Sequence, residues 1–174
     1  NIFEEIFRAK VSFLEGEMGF GKSKAARSIT THFCTPDRFK QNPVLPIFCT
    51  FRSLLDSGKT LAELLTASTQ RFFSLEAHPD CKVLFIVDGV DESIGRCERW
   101  SEHLAKFIQE AKVSDKFHLL LTSRPLKRID EEVTVYAGAR RFLLRPLSLH
   151  KLVEFISKAC EKLSVPKRLF EDLQ

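Results

Sequence analysis

Gly16, Gly21, Lys22 and Ser23 stand at the spacing Gly-x-x-x-x-Gly-Lys-Ser within Glu15-Gly16-Glu17-Met18-Gly19-Phe20-Gly21-Lys22-Ser23. Those residue types suit a polyphosphate. A phosphate chain is bulky and negative, and backbone N–H groups turned inward can hold it. Glycines permit that turn because they reach positive φ and let the backbone approach closely. A helix beginning near Gly21 would add the positive end of its dipole. Lys22 would reach the β- and γ-phosphates as a point charge, and the Ser23 hydroxyl would ligate Mg²⁺. Glu17, Met18, Gly19 and Phe20 within the loop, and Lys24 just after it, complete the stretch expected to border a nucleotide.

Two further constellations follow apolar runs. Asp88-Gly89-Val90-Asp91-Glu92 comes directly after Val83-Leu84-Phe85-Ile86-Val87. A carboxylate at the end of a parallel strand sits where ligands gather, so Asp88 is expected to hold Mg²⁺ opposite Ser23. Asp91 or Glu92 could orient or deprotonate the attacking water. Thr122-Ser123-Arg124-Pro125 ends the run Leu119-Leu120-Leu121 in the same way. Thr122 and Ser123 can hydrogen-bond a phosphate or a water, and Arg124 can present its planar fork to a γ-phosphate. Arg52, after Phe48-Cys49-Thr50-Phe51, has two readings: approach to the nucleotide, or a surface salt bridge.

The histidines show no metal-ligand spacing and receive no catalytic role; His118, inside an apolar run, reads as a core or edge residue. The five cysteines, Cys34, Cys49, Cys81, Cys97 and Cys160, form no Cys-x-x-Cys pair, so neither a zinc nor a redox motif is indicated. An odd count without a secretion signal fits a reducing cytosol and thiols that are buried or inert. Guanine is commonly read through Asn-Lys-x-Asp. The chain has only Asn1 and Asn42, neither followed by Lys, which favours ATP over GTP.

Strands and helices must hold these residues in place. Residues 10–14 are β-prone, and Lys24–Phe33 carries Ala25, Ala26, Ile29 and Phe33 at helical spacing. Cys34–Pro43 reads as a polar loop. Val44–Phe51 is a second strand whose Pro46 points to an edge position or an irregular start. Thr60-Leu61-Ala62-Glu63 is a capping box opening a helix with Leu61, Leu64, Leu65, Ser68 and Phe72 on one side. Val83–Val87 is apolar at every position, as for a central strand covered on both faces. Arg99–Lys112 predicts a helix with Trp100, Leu104, Phe107, Ile108 and Ala111 inward. Phe117–Leu121 and Phe142–Leu144 are further strands. Ser148 would cap a last helix with Leu149, Leu152, Val153, Ile156, Ala159, Cys160 and Leu163 inward. Alternating strands and helices imply an α/β fold of three layers, a mainly parallel five-stranded sheet flanked by helices.

The 174 residues suffice for one substantial core, and 44% apolar with 29% charged residues is a globular balance. No apolar run approaches the ~18 residues of a membrane span. A charge of +4 is too mild to indicate nucleic acid, and it comes with no aromatic-basic stripe. Residues 1–9 read as the end of an upstream linker or helix, 10–165 as the nucleotide-binding domain, and 166–174 as the start of a following helical segment.

Gly16–Ser23, Leu45–Phe48 leading to Arg52, Asp88-Gly89-Val90-Asp91-Glu92 and Thr122-Ser123-Arg124-Pro125, in that order, resemble the NACHT family within the STAND class of signalling P-loop ATPases. The acidic motif discriminates best: many related ATPases place a catalytic Glu directly after the metal-binding Asp, whereas here Gly89 stands there with acids further on. The resemblance implies ATP/ADP and Mg²⁺ as cofactors, Asp88 on the metal, Asp91 or Glu92 on the water, and Arg124 sensing the γ-phosphate. It also implies a cytoplasmic regulatory switch with slow ATP hydrolysis. Its full-length form would assemble into a homo-oligomer, with effector and sensor domains outside these residues. The alternative is a mechanical or nucleic-acid-associated P-loop ATPase of the wider class.

Overall fold

The computed structural model describes residues 2–69, 73–74, 78–125, 138–146, 148, 150–151, 153–154 and 157–158. The chain divides into two units, Asn1–Leu144 and Arg145–Gln174. In the first, a short helix α1 (Ile2–Glu5) and a 3₁₀ turn (Ile6–Arg8) precede β1 (Val11–Glu15) and α2 (Lys22–Phe33). Then come α3 (Pro36–Gln41), β2 (Val44–Thr50), α4 (Phe51–Ser57), α5 (Leu61–Thr69) and β3 (Lys82–Asp88). A 3₁₀ turn (Val90–Ser93), α6 (Trp100–Val113), β4 (Phe117–Ser123) and β5 (Arg140–Leu143) complete it.

The five strands form one all-parallel sheet in the order β2-β3-β4-β1-β5. The apolar run of β3 explains itself in section. Val83, Phe85 and Val87 pack with α4, α5 and α6 on one face, while Leu84 and Ile86 pack with α2 and the N-terminal segment on the other. A strand covered on both sides has no solvent face to make polar. Trp100, Leu104, Phe107, Ile108 and Ala111 of α6 are all buried, as their spacing predicts. β2 lies at the sheet edge, where Pro46 withholds no needed ladder donor.

The capping box is made in full: the Thr60 N–H donates to Glu63 Oε2 at 2.8 Å, and the Glu63 N–H donates to Thr60 Oγ1 at 3.1 Å. Phe72, placed on that helix from the sequence, lies outside the described residues.

The segment expected as a loop, Cys34–Pro43, contains α3 instead. Pro36 is the reason: it lacks an N–H and has its φ set near −65°, which breaks a helix interior but favours the first turn, where that N–H has no partner anyway. Of the thiols expected to be buried or inert, Cys81 is buried and Cys34 is exposed. Cys49 is half-buried, and burial pushes its thiol up to about 12. In the second unit, the Ser148 hydroxyl accepts the Lys151 N–H at 3.4 Å, as a cap would. Val153, expected inward, is exposed, and Leu149, Leu152, Ile156, Ala159, Cys160 and Leu163 lie outside the described residues.

His118 on β4 is a core residue, 5% exposed. Its Nδ1–H donates to the Ala9 carbonyl at 3.1 Å, and Phe7 packs edge-on against the ring. Burial lowers its pKa from 6.5 and outweighs the opposing pull of that carbonyl, with Lys10 and Lys82 adding to the lowering. His32, stacked on Phe3, is shifted the same way by burial and by Arg38. The folded chain therefore binds these protons less readily than the unfolded one, so stability is whole above pH 6.5 and falls as pH drops below it. The urea midpoint should decline as pH is lowered from about 7.5 to about 5.5. His118→Gln should flatten part of that decline; an unchanged slope in the variant would remove His118 as its source.

Candidate functional site

Because all strands run the same way, their carboxyl ends share one edge of the sheet. The register brings Glu15 level with Ser123, Val87 level with Leu121, and Thr50 level with Asp88. The glycine-rich loop leaves β1 at this edge. The Gly16 N–H donates to the Ser123 carbonyl at 3.2 Å, and a Cβ on Gly16 would stand 3.1 Å from Leu144 Cβ. Close packing, rather than φ, is what favours glycine at this position. Gly21, the N-cap of α2, has φ 86°, where a side chain would be strained. The Lys22 ammonium donates to the carbonyls of Gly16 at 2.7 Å and Glu17 at 3.1 Å, so it sits inside the loop's curve.

Across the site, Thr122 Oγ1 donates to Asp88 Oδ1 in a short contact and accepts the Gly89 N–H at 2.9 Å. From the sequence, Thr122 was a candidate for phosphate or water; its hydroxyl is engaged in holding Asp88. Arg124 binds Asp91 twice, through Nε to Oδ2 at 2.8 Å and through its backbone N–H to Oδ1 at 3.2 Å. The Asp91 side chain is 6% exposed, while that of Arg124 is 44% exposed.

Glu92 is exposed, and among the described residues no hydrogen bond or ion pair ties its carboxylate. That carboxylate lies against Gly89: a Cβ there would meet Glu92 Cδ at 3.2 Å. The acid three positions on thus fills the space in which a side chain following Asp88 would start.

Lys22, Ser23, Asp88, Asp91, Glu92 and Arg124 line one cavity of about 280 Å³. Met18, Gly19, Gly21, Lys24, Gly89 and Thr122 complete its described wall. Gly16, Glu17, Phe20 and Ser123 are not among the residues lining it. Ser123 is buried, and its hydroxyl donates to the Arg124 carbonyl at 2.9 Å. Arg52 pairs with Asp56 at 3.9 Å, both side chains well exposed, which decides for the surface salt bridge.

The donor set fits a nucleotide with Mg²⁺. Among the described residues no cluster of three His, Cys, Asp or Glu forms a metal cage. One hydroxyl and one carboxylate facing a common cavity suit an ion that keeps several waters and takes oxygens from phosphate.

Glu15 escaped the sequence reading. It is 5% exposed at the end of β1, and Arg141 on β5 holds both its oxygens at 2.8 to 3.1 Å. A charge closing a strand whose other residues are all uncharged was the available signal. It fixes the last residue before the glycine-rich loop, because a buried carboxylate needs a charged partner.

The sequence matches the NACHT domain over residues 10–162. The chain belongs to the NACHT family. NACHT domains are P-loop NTPases, and nucleotide binding is the family's trait. No curated protein matches this NACHT domain in sequence. In fold it is similar to the Aeropyrum pernix ORC1 protein in complex with DNA, with TM-score 0.59 and 14% identity, covering 87% of this chain and 44% of that one. It is similar to AMPPCP-bound DnaA from Aquifex aeolicus, with TM-score 0.58 and 14% identity, covering 99% and 53%. Drosophila ORC bound to DNA gives TM-score 0.60 at 11% identity, covering 94% and 44%. The chain thus spans about half the length of these structures, and at such identities they share its fold.

Gly89 has φ +79°, and Glu92 is the far end of a flexible, exposed side chain. Gly89→Ala should therefore cost about 1–2 kcal/mol from backbone strain alone, with Glu92 swinging aside. Adding Glu92→Ala should leave that loss nearly unchanged. Urea unfolding of the single and double variants checks this; full recovery in the double variant would mean that the clash, not φ, carries the cost.

Proposed function

We propose that this NACHT domain is a Mg²⁺-dependent ATP-binding switch with slow ATP hydrolysis. The supporting observation is that Lys22, Ser23, Asp88, Glu92 and Arg124, drawn from three separate sequence motifs, line one cavity at the ends of three adjoining parallel strands. Lys22 would exchange its carbonyl partners for β- and γ-phosphate oxygens. Ser23 and Asp88 would hold the magnesium, with Thr122 fixing the Asp88 carboxylate. When bound, the ion neutralises phosphate charge and orients the terminal phosphate. Glu92 is the better placed of the two acids to take a proton from water, since Asp91 is tied to Arg124. Arg124 would report the γ-phosphate. ATP is preferred to GTP because no Asn-Lys-x-Asp motif exists.

The role proposed is cytoplasmic signalling in innate immunity or defence. ADP would hold a closed monomer, and ATP would permit homo-oligomers of the full-length protein, governed by effector and sensor domains outside these residues. Physically, a γ-phosphate biases a bistable arrangement by contacts that ADP cannot make. The second reading, a nucleic-acid-associated ATPase, draws on the DNA-bound proteins that share the fold; turnover stimulated by DNA would favour it.

Lys22→Ala should lower ATP affinity by about 100-fold or more, since a charge-assisted contact to phosphate is lost. Calorimetric binding unchanged in that variant would refute the assigned loop. Glu92→Gln should preserve ATP binding and slow turnover by about 100-fold. Single-turnover phosphate release at the wild-type rate would take the proton-accepting role from Glu92.

A further inference from the structure

We infer that Asp91 is a specificity-determining residue: its carboxylate competes with the γ-phosphate for the Arg124 guanidinium and so sets how strongly the site prefers ATP to ADP. The inference rests on the nucleotide-binding reading above and assigns Asp91 a task distinct from proton transfer. The two residues are 33 positions apart and meet because β3 and β4 are neighbours. Asp91 makes two contacts to Arg124 of different kinds. One is to the backbone N–H, which cannot leave; the other is to Nε, which can.

If the guanidinium turns toward a phosphate, Asp91 still accepts the Arg124 N–H, so its carboxylate keeps one hydrogen bond but loses its charged partner, and that loss is the cost set against the γ-phosphate. Nε is one of five N–H groups on the guanidinium, and the planar fork matches phosphate oxygens as well as it matches a carboxylate. Arg124 lies in the wall of the cavity that holds Lys22 and Ser23, and it is the more exposed partner of the pair. ADP lacks the phosphate that would compete and leaves the pair closed. ATP must displace one acid from Arg124 to gain its contact, and part of the γ-phosphate's binding is lost in that exchange.

Removing the competing charge should therefore raise ATP affinity relative to ADP. Asp91→Asn keeps the size of the side chain and an acceptor for the Arg124 N–H. The ratio of ADP to ATP dissociation constants, measured by calorimetry on the full-length protein with Mg²⁺, should rise about 2- to 5-fold, the scale of a partly exposed ion pair. Asp91→Ser, which also keeps a short acceptor, should move the ratio the same way and serves if the first variant does not fold. In an Arg124→Ala background the Asp91→Asn effect should vanish. If ATP binds normally but Asp91→Asn leaves the ratio unchanged, the inference falls while the nucleotide site stands. It falls likewise if turnover is lost at constant ratio, which would make Asp91 the proton acceptor. If wild-type protein binds neither nucleotide, the site assignment and this inference fall together.

Discussion

Strand β4 lies between β1 and β3, and three consecutive residues at its end each hold a different neighbour. The Thr122 hydroxyl grips Asp88 and Gly89 on the β3 side. The Ser123 carbonyl accepts Gly16, the first residue of the loop after β1. Arg124 takes Asp91 in the turn after β3. The β1 side is served by a backbone carbonyl and the β3 side by side chains, so one strand end serves both flanks with different groups. The distance between the phosphate loop and the acidic motif is set by β4. Were β1 and β3 paired directly, Lys22 and Asp88 would be drawn about 4.8 Å closer, one strand spacing, and Arg124 would have no position between them.

This arrangement places several charges in a small volume, and each is stabilised differently. Glu15 and Asp91 have side chains only 7% and 6% exposed, and each faces an arginine that is about half exposed. The acid is buried while the base reaches in from solvent with its charged head partly wet, which reduces the desolvation cost of the pair. Glu15 is gripped through both oxygens by side-chain nitrogens from β5, and it anchors the loop. Among the described residues, Asp91 receives one such nitrogen. The first pair is built to stay and the second to exchange.

Much of the fold was legible because core burial imposes periodicity. β3 was visible as an unbroken apolar run, and α6 showed its five inward residues at the right spacing. The Thr60–Glu63 box was readable because both partners lie within one helical turn. The glycine-rich loop was readable for the same reason: its motif is a run of neighbouring residues. What was not legible is what depends on pairing at long range. Strand order is not written in any segment, so Glu15–Arg141, 126 positions apart, and Asp91–Arg124 could not be foreseen. The Thr122–Asp88 contact could not be foreseen because the hydroxyl has several possible partners, and only the β3–β4 register selects Asp88. α3 was missed because Pro36 signals a break and a helix start equally well, and only the chain around it decides.

The acidic motif owes its geometry to the 3₁₀ turn Val90–Ser93. Such a turn has three residues per repeat, so positions i and i+3 fall on one face. Val90 and Ser93 are 0% and 4% exposed and occupy the inward face. Asp91 and Glu92 are thereby forced onto the remaining sides, toward the cavity, whatever their own preferences. An α-helical turn would offset positions 90 and 93 by about 60° and bury one acid more deeply. Gly89, with φ +79°, lets the chain leave β3 and enter this tight turn at once. The spacing Asp-Gly-x-Asp-Glu is therefore a geometric unit. One carboxylate ends the strand, a glycine turns the chain, an apolar residue pins the turn, and two acids emerge side by side. One of these is claimed by Arg124 and the other reaches back over Gly89.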